Sequence, residues 1–315
     1  LLYGGNIMKW RKITCLFTIM ISGVALASCG GSSQGETSNL ITTSNLNASG
    51  NGENANSALA GTDAALVSGE NLAVYNNFKS SSTDIEEIME QVVDFADSAT
   101  ICVQNYQTVY QTQFTGRGWQ TTTTHTLYGW GSGVIYYKAL LTDGSYLYKV
   151  ITNEHVVAGD TSCVSGEEEY QIYDEKYDTN LSATLLGSNE DNDIAVLSFV
   201  SDRDYNAASF ESDENIKKGS YVVAMGTPID LAYYNTASFG QISKITSSTV
   251  QHGATINSGN SGGPLFSLNG NLIGINNAKL SGKTSSGSTI EGIFFAIPKE
   301  IVIESVNGIV GENEL

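Results

Sequence analysis

Ser261 lies in the run Gly259-Asn260-Ser261-Gly262-Gly263-Pro264-Leu265, a glycine turn able to present one hydroxyl and several backbone N–H groups to a single carbonyl. A hydroxyl alone attacks an amide poorly. It needs a base to take its proton and donors to hold the charge that develops on the carbonyl oxygen. Without a Cβ, Gly259 can adopt dihedrals that turn its own N–H and that of Ser261 toward one point, with Asn260 between them as part of the same candidate oxyanion hole. Two other segments supply the missing groups. Ile151-Thr152-Asn153-Glu154-His155-Val156-Val157-Ala158 brings His155 as the base. Asp191-Asn192-Asp193-Ile194-Ala195-Val196-Leu197 brings Asp193, a carboxylate that can fix the imidazole tautomer and stabilise its protonated form. Each segment alone is a weak signal, because a His after an apolar run is often structural, an Asp at a strand start is usually a turn former, and Gly/Ser loops are common. The three contexts in the order His, Asp, Ser point to acyl transfer by an activated serine. Other assignments fit less well. Asp191 comes two residues early, whereas the apolar run from Ile194 starts directly after Asp193. His125 sits in the polar stretch Thr121 to Thr126, which reads as a solvent-exposed hairpin, and His252 precedes the serine turn.

These groups need a rigid frame. Ser81 to Asp97 reads as a helix, with Thr83 as its cap, Glu86 closing a capping box, and Ile85, Ile88, Val92 and Phe95 at helical spacing. Beyond Thr100 the pattern changes to short alternating or apolar runs broken by Gly, Asp and Asn. They are Ile101 to Tyr110, Gly131 to Tyr137, Tyr146 to Thr152, Tyr170 to Tyr173, Leu181 to Leu186, Ile194 to Val200, Tyr221 to Met225, Ala237 to Ile245, Leu265 to Leu268, Leu272 to Ile275 and Gly292 to Ile297. About a dozen strands in about 200 residues predict an all-β sandwich or barrel, and two barrels fit the length. A short helix follows Ile297-Pro298, through about Val306.

Composition sets the surroundings. The 315 residues are 41% hydrophobic and 15% charged, enough for a β-rich core, and a net charge of −18 argues against nucleic acid or an anionic lipid surface as partner. Met8 opens a basic region (Lys9, Arg11, Lys12), followed by an apolar stretch from Ile13 to Ala27, the pattern of an export signal. Residues 1–7 read as a start-site extension and 8–28 as the signal peptide. Gly30 to about Ser82 is Ser, Asn, Gly, Thr and Ala, a composition that cannot bury enough apolar surface to offset chain entropy, so 29–82 is expected to be a disordered tether. Residues 83–315 form the folded domain. Of the cysteines outside the signal and position 29, Cys102 and Cys163 remain, and an oxidising exterior permits a disulfide between them.

The chain resembles the chymotrypsin-fold serine proteases of the HtrA (Deg) branch over roughly residues 85 to 306. The likeness is carried by Gly131-Ser132-Gly133-Val134-Ile135, Thr152-Asn153-Glu154-His155-Val156-Val157 and Asp193-Ile194-Ala195-Val196-Leu197. It continues through Gly219 to Pro228, Phe239-Gly240-Gln241-Ile242-Ser243, Ile256 to Leu265, Ile273-Gly274-Ile275-Asn276 and Gly292 to Pro298. The resemblance implies a double six-stranded β-barrel, with His155 as general base, Asp193 as its orienting carboxylate and Ser261 as nucleophile. It also implies protein or peptide substrates and requires neither metal nor cofactor. By the same resemblance Thr255 lies at the base of the specificity pocket and Ile275, Asn276 and Asn277 form a wall, a neutral site suited to a modest aliphatic residue. The helix near Ser81 to Asp97 is a candidate support for a homotrimer.

Leu26-Ala27-Ser28-Cys29 resembles the lipobox of bacterial lipoproteins, which implies acylation of Cys29 and a membrane anchor facing the extracytoplasmic side. Two departures bear on control. Ser258 stands where the family often has Pro, and Gly253 where it often has an acid. Many relatives continue into PDZ domains, whereas here the reading ends at Leu315 with the protease domain. Two rival readings use the same residues: a non-enzymatic peptide-binding lipoprotein on this fold, and a narrowly specific processing or toxin-like protease.

Overall fold

Apolar runs without alternation need a partner on each face. The computed structural model, which describes residues 65–67, 71–72, 78, 80, 82–175, 178–278 and 292–311, places them where both faces are covered. Six strands form the first barrel: β1 (Thr100–Phe114), β2 (Trp119–Leu140), β3 (Tyr146–Thr152), β4 (Glu169–Asp174), β5 (Thr179–Asn189) and β6 (Ile194–Ser201). Their order is β1-β2-β3-β6-β5-β4, and β4 pairs back onto β1 to close it. The second barrel holds β7 (Tyr221–Gly226), β8 (Thr236–Ile245), β9 (Val250–His252), β10 (Pro264–Ser267), β11 (Leu272–Asn276) and β12 (Phe294–Pro298). It runs β10-β11-β12-β9-β8-β7 and closes through β10 on β7. All pairings between these twelve strands are antiparallel, and this is the all-β, chymotrypsin-like double barrel expected.

Successive side chains of a strand point to opposite faces. In β6, Ala195, Leu197 and Phe199 fill the first barrel with Ile101, Val103, Ile135 and Val150, while Ile194 and Val196 point outward into a second cluster. In β7, Val222 and Ala224 fill the other barrel with Leu265 and Ile273, and Val223 and Met225 face the same outer cluster. That outer cluster joins the barrels and receives two helices, α1 (Ile85–Ala99) through Val92, Ala96 and Ala99, and, at the C-terminal end, Lys299–Val310 through Val302, Val306 and Val310. Burying each such side chain contributes about 1.5–3 kcal/mol, which is why the strands next to the seam lack polar alternation.

Several boundaries differ from the sequence reading. The cap of α1 is Asp84, whose carboxylate accepts from Glu86 N–H at 2.9 Å, one residue beyond Thr83. Ile85 is exposed, and the buried stripe is shifted toward Val92, Ala96 and Ala99, with Phe95 packed edge-on to Phe266. The apolar face of α1 is thus covered by the chain's own core. Strand β2 joins the expected Gly131–Tyr137 strand and the polar Thr121–Thr126 stretch in one element, because β1 pairs along its full length down to Phe114 opposite Trp119. The three-residue β9 is too short to show alternation. The C-terminal helix runs four residues past Val306, to Val310, and its last turn buries Val310. Cys102 and Cys163 are free thiols, and burial pushes the Cys102 thiol up to about 12.

The signal region, Cys29 and most of the tether lie outside the described residues, which all belong to the unit Ala48–Leu315. The described end of the tether is docked on the fold. Leu66 bridges to Leu141, Val67 N–H donates to Leu140 O at 2.9 Å, and Phe78 packs on Phe95 with ring centroids 5.3 Å apart. A few apolar side chains in a polar stretch suffice to fasten it.

Candidate active site

His155 rides on α2 (Glu154–Val157), a single turn directly after β3. Asp193 closes the turn from β5 to β6 with φ of +53°, a left-handed conformation that Asp tolerates better than most residues. The turn is tied at both ends. Asn192 Nδ2 donates to Ser305 Oγ on the C-terminal helix at 2.9 Å, and the buried Asn153 donates through Nδ2 to Asp193 O at 2.8 Å.

That geometry brings the carboxylate to the imidazole. His155 Nδ1 lies 2.9 Å from Asp193 Oδ1 and 2.8 Å from Oδ2, and His155 N–H donates to Oδ1 at 3.0 Å. A carboxylate brings no proton to such a bond, so Nδ1 is the donor of the neutral ring and Nε2 keeps its lone pair. Asn277 Nδ2 donates to Asp193 Oδ2 at 2.8 Å. Asp193 is therefore held by His155 on one side and by Asn277, just past β11, on the other.

Ser261 reaches the same cleft from the second barrel. The cleft, about 370 Å³, is bounded by Tyr128, Trp130, His155, Val156, Gly259 and Ser261, with Ala158 and Ala278 nearby. Ser261 Oγ accepts from Ala278 N–H at 3.3 Å, and among the described residues no hydrogen bond joins it to the imidazole. Loose nucleophile contacts of this kind are common before substrate binds. The serine's backbone is fixed from three directions: Ser132 N–H donates to Ser261 O at 2.8 Å, Gly262 N–H to Asn276 O at 3.0 Å, and Asn276 N–H to Gly263 O at 2.8 Å. Gly259 has φ of +100°, and a Cβ there would stand 2.1 Å from Thr227 O, so only glycine fits.

Among the described residues, the N–H groups of Gly259 and Ser261 have no protein acceptor. Asn260 differs, because its N–H donates to Asn257 O at 3.0 Å and its side chain is buried. Asn260 thus sits between the two candidate donors without offering an N–H of its own.

The four residues expected at the specificity pocket have these placements. Thr255 is exposed and its carbonyl accepts from Ser238 Oγ at 2.7 Å. Ile275 is buried in the core between the barrels, Asn276 Nδ2 is bonded to Pro264 O at 2.7 Å, and Asn277 serves Asp193. None of the four lines the cleft beside Ser261. Residues 279–291, which follow Ala278, lie outside the described residues. The rival assignments stand apart. Asp191 is exposed, His125 stacks on Tyr106 and lies 3.5 Å from Glu169, and His252 is buried beside Phe294.

Tyr128 and Trp130 were not legible as cleft residues. A bulge between Asn105 and Tyr106 skips Tyr128 in the pairing of β1 with β2, and such a bulge re-aims a side chain. Hydrogen bonding to Asp160 pushes the Tyr128 phenol up to about 12. Trp130 Nε1 donates to Thr227 O at 3.3 Å, spanning the barrels.

Comparison with known proteins agrees with this frame. Residues 131–275 match the Trypsin-like peptidase domain family. The chain is 34% identical over 194 residues to the serine protease Do-like HtrA of Lactococcus lactis subsp. cremoris (strain MG1363), covering 56% of this chain and 44% of that protein. It is 36% identical over 166 residues to a probable periplasmic serine endoprotease, DegP-like, of Hahella chejuensis (strain KCTC 2396), covering 50% and 32% respectively. The crystal structure of the serine endoprotease from Yersinia pestis superposes with a TM-score of 0.50 at 25% identity, over 71% of this chain and 66% of that one. The chain spans less than half the length of either sequence relative. Residues 131–275 thus match the trypsin-like peptidase domain family, and over the aligned segments the chain is similar to the HtrA and DegP-like serine proteases.

Proposed function

We propose that the protein is a serine endopeptidase acting on accessible or unfolded segments of extracytoplasmic proteins. The observation that carries the reading is the two-oxygen grip of Asp193 on His155 Nδ1, in the cleft that also holds Ser261 and the free N–H groups of Gly259 and Ser261. In this mechanism Ser261 Oγ attacks the scissile carbonyl while His155 Nε2 takes its proton. The N–H groups of Gly259 and Ser261 hold the oxyanion, and Asp193 stabilises the imidazolium. His155 then passes the proton to the leaving amine, and water, activated by the same imidazole, releases the acyl group.

The cleft is bordered by Tyr128, Trp130, Val156, Ala158 and Ala278, a neutral and largely apolar wall suited to uncharged extended chain. The extracytoplasmic setting rests on the signal pattern from Met8 to Ala27 and on the periplasmic relative. Anchoring through acylated Cys29 rests on the Leu26–Cys29 pattern. Among the described residues no helix is long and apolar enough to cross a membrane.

The test is to react the full chain with a fluorophosphonate beside a Ser261→Ala control, then to follow cleavage of an unfolded protein. Labelling and cleavage that both vanish in the variant are expected. Labelling independent of Ser261, or none with substrate present, sinks the reading. Mass spectrometry of the exported protein checks the anchor, for which a diacylglyceryl adduct on Cys29 is expected.

A further inference from the structure

The proposed oxyanion donor Gly259 has no side chain to anchor it, and the two peptide planes that flank it are pinned by groups outside the nucleophile loop. In the plane before it, Ser258 O accepts from Ile229 N–H at 2.7 Å. A trans peptide sets its N–H opposite its C=O, so this bond aims Gly259 N–H away from the Pro228-Ile229 segment. In the plane after it, Gly259 O accepts from Ser132 Oγ at 2.7 Å, while Asn260 N–H donates to Asn257 O at 3.0 Å.

Ser132 belongs to β2 of the opposite barrel and is fully buried. Its hydroxyl also accepts from Thr227 N–H at 2.9 Å. An amide N–H can only donate, so the single hydroxyl proton of Ser132 must point to Gly259 O. Ile229 is equally specific in its effect. It is a β-branched residue at φ of +66°, a conformation such residues avoid, and its side chain is exposed, so packing does not explain the geometry. What the conformation achieves is the N–H on Ser258 O. A flip of that plane would replace the Gly259 N–H by a carbonyl oxygen, which repels an oxyanion instead of binding it.

We propose that Ser132, through its hydroxyl, and Ile229, through its backbone N–H, are positioning residues that hold Gly259 in the oxyanion-binding conformation. Neither touches substrate, and the inference rests on the endopeptidase reading. The test compares the full wild-type chain with Ser132→Ala and with an amide-to-ester exchange at Ile229 (its α-hydroxy acid analogue), which removes the N–H donor and leaves φ of +66° accessible. The measurements are kcat and KM on a peptide amide, the inhibition constant of a peptide aldehyde that forms a tetrahedral adduct on serine, and the pH profile of kcat/KM.

Each variant is expected to lose about tenfold or more in kcat, with KM within about twofold. Aldehyde affinity falls by the same factor, and the pH profile keeps its shape because the His155–Asp193 pair is untouched. If Ser132→Ala does not fold, Ser132→Cys, near in shape and a weak donor, carries the same comparison. A folded variant with wild-type kcat and aldehyde affinity overturns the inference, as does a loss confined to KM. A wild-type chain without Ser261-dependent turnover overturns the parent reading and this one together, whereas an active wild type with insensitive variants overturns the positioning alone.

Discussion

Strands β1 and β2 build two regions of opposite character. Beyond Tyr110 they form an arm of regular ladder whose side chains are exposed: Thr112 and Thr121 hydroxyls meet at 2.9 Å, and Phe114 and Trp119 pack edge-on with centroids 5.7 Å apart at the tip. Nearer the second barrel the same β2 contributes Ser132, Gly133, Val134 and Ile135, all buried, to a seam where Ser132, Thr152, Gly259 and Gly262 meet. The arm satisfies its own backbone and asks nothing of its neighbours. The seam is made of turns whose N–H and C=O groups have no ladder partner, so specific side chains from distant segments must satisfy them. Residue identity is therefore constrained in the seam and free on the arm.

The sharpest break of this contrast comes from two glycines with nearly the same dihedral. Gly262 has φ of +83° and Gly116, in the arm's turn, +80°. A Cβ on Gly262 would stand 2.2 Å from both Ser132 O and Thr152 Oγ1, whereas one on Gly116 meets nothing within 4 Å. Gly262→Ala is expected to cost more than about 4 kcal/mol and abolish activity, and Gly116→Ala only the left-handed penalty of about 1–2 kcal/mol. Chemical denaturation of the pair decides it; similar losses would mean that backbone conformation, not the seam's packing, sets the cost.

Asp193→Asn probes the seam's chemistry without its packing, since Asn tolerates φ of +53° equally well. An amide NH₂ facing Nδ1 favours the ring tautomer with its proton on Nε2, which cannot accept from Ser261. A kcat loss of about 10²–10⁴ with an unchanged melting midpoint is expected. Retained kcat would remove Asp193 from the catalytic set.

His252 lies inside the second barrel, and burial lowers its pKa from 6.5 to about 4 even though backbone groups of Ala254 and Phe295 favour the charged form. The unfolded chain then binds more protons than the folded one between those values. Stability is level above pH 6.5 and falls as pH drops toward 4, by on the order of 2–3 kcal/mol. Melting scans of wild type and His252→Gln across this window should show a shallower decline in the variant, and parallel curves would contradict the assignment. The smallest effect belongs to the arm. Trp119→Ser should cost under about 1 kcal/mol and leave kcat/KM unchanged; a measurable fall in kcat/KM would give the arm a role in turnover.

The legible part of the site was local. His155, Asp193 and Ser261 each adjoin a run of apolar residues that reads as a buried strand end, and Gly259 reads as a strained turn, which its φ of +100° matches. The illegible part was relational. Tyr128 reaches the cleft because of a bulge, which no periodicity announces. The bond from Asn277 to Asp193, 84 residues away along the chain, has no local signal. Asp84 displaced Thr83 as cap because neighbouring residues of equal propensity are separated only by which one the helix start leaves outside its first turn.

Chain chemistry alone therefore points to an all-β fold and to His155, Asp193 and Ser261 as candidates for acyl transfer, because strand burial and glycine dihedrals are properties of neighbouring residues. Tertiary structure decides which amides stay free, which carbonyls are held and which side chains border the cleft. Those choices depend on hydrogen bonds between segments more than 80 residues apart, such as Ser132 to Gly259 and Asn277 to Asp193. Their partners are defined only once both barrels have closed.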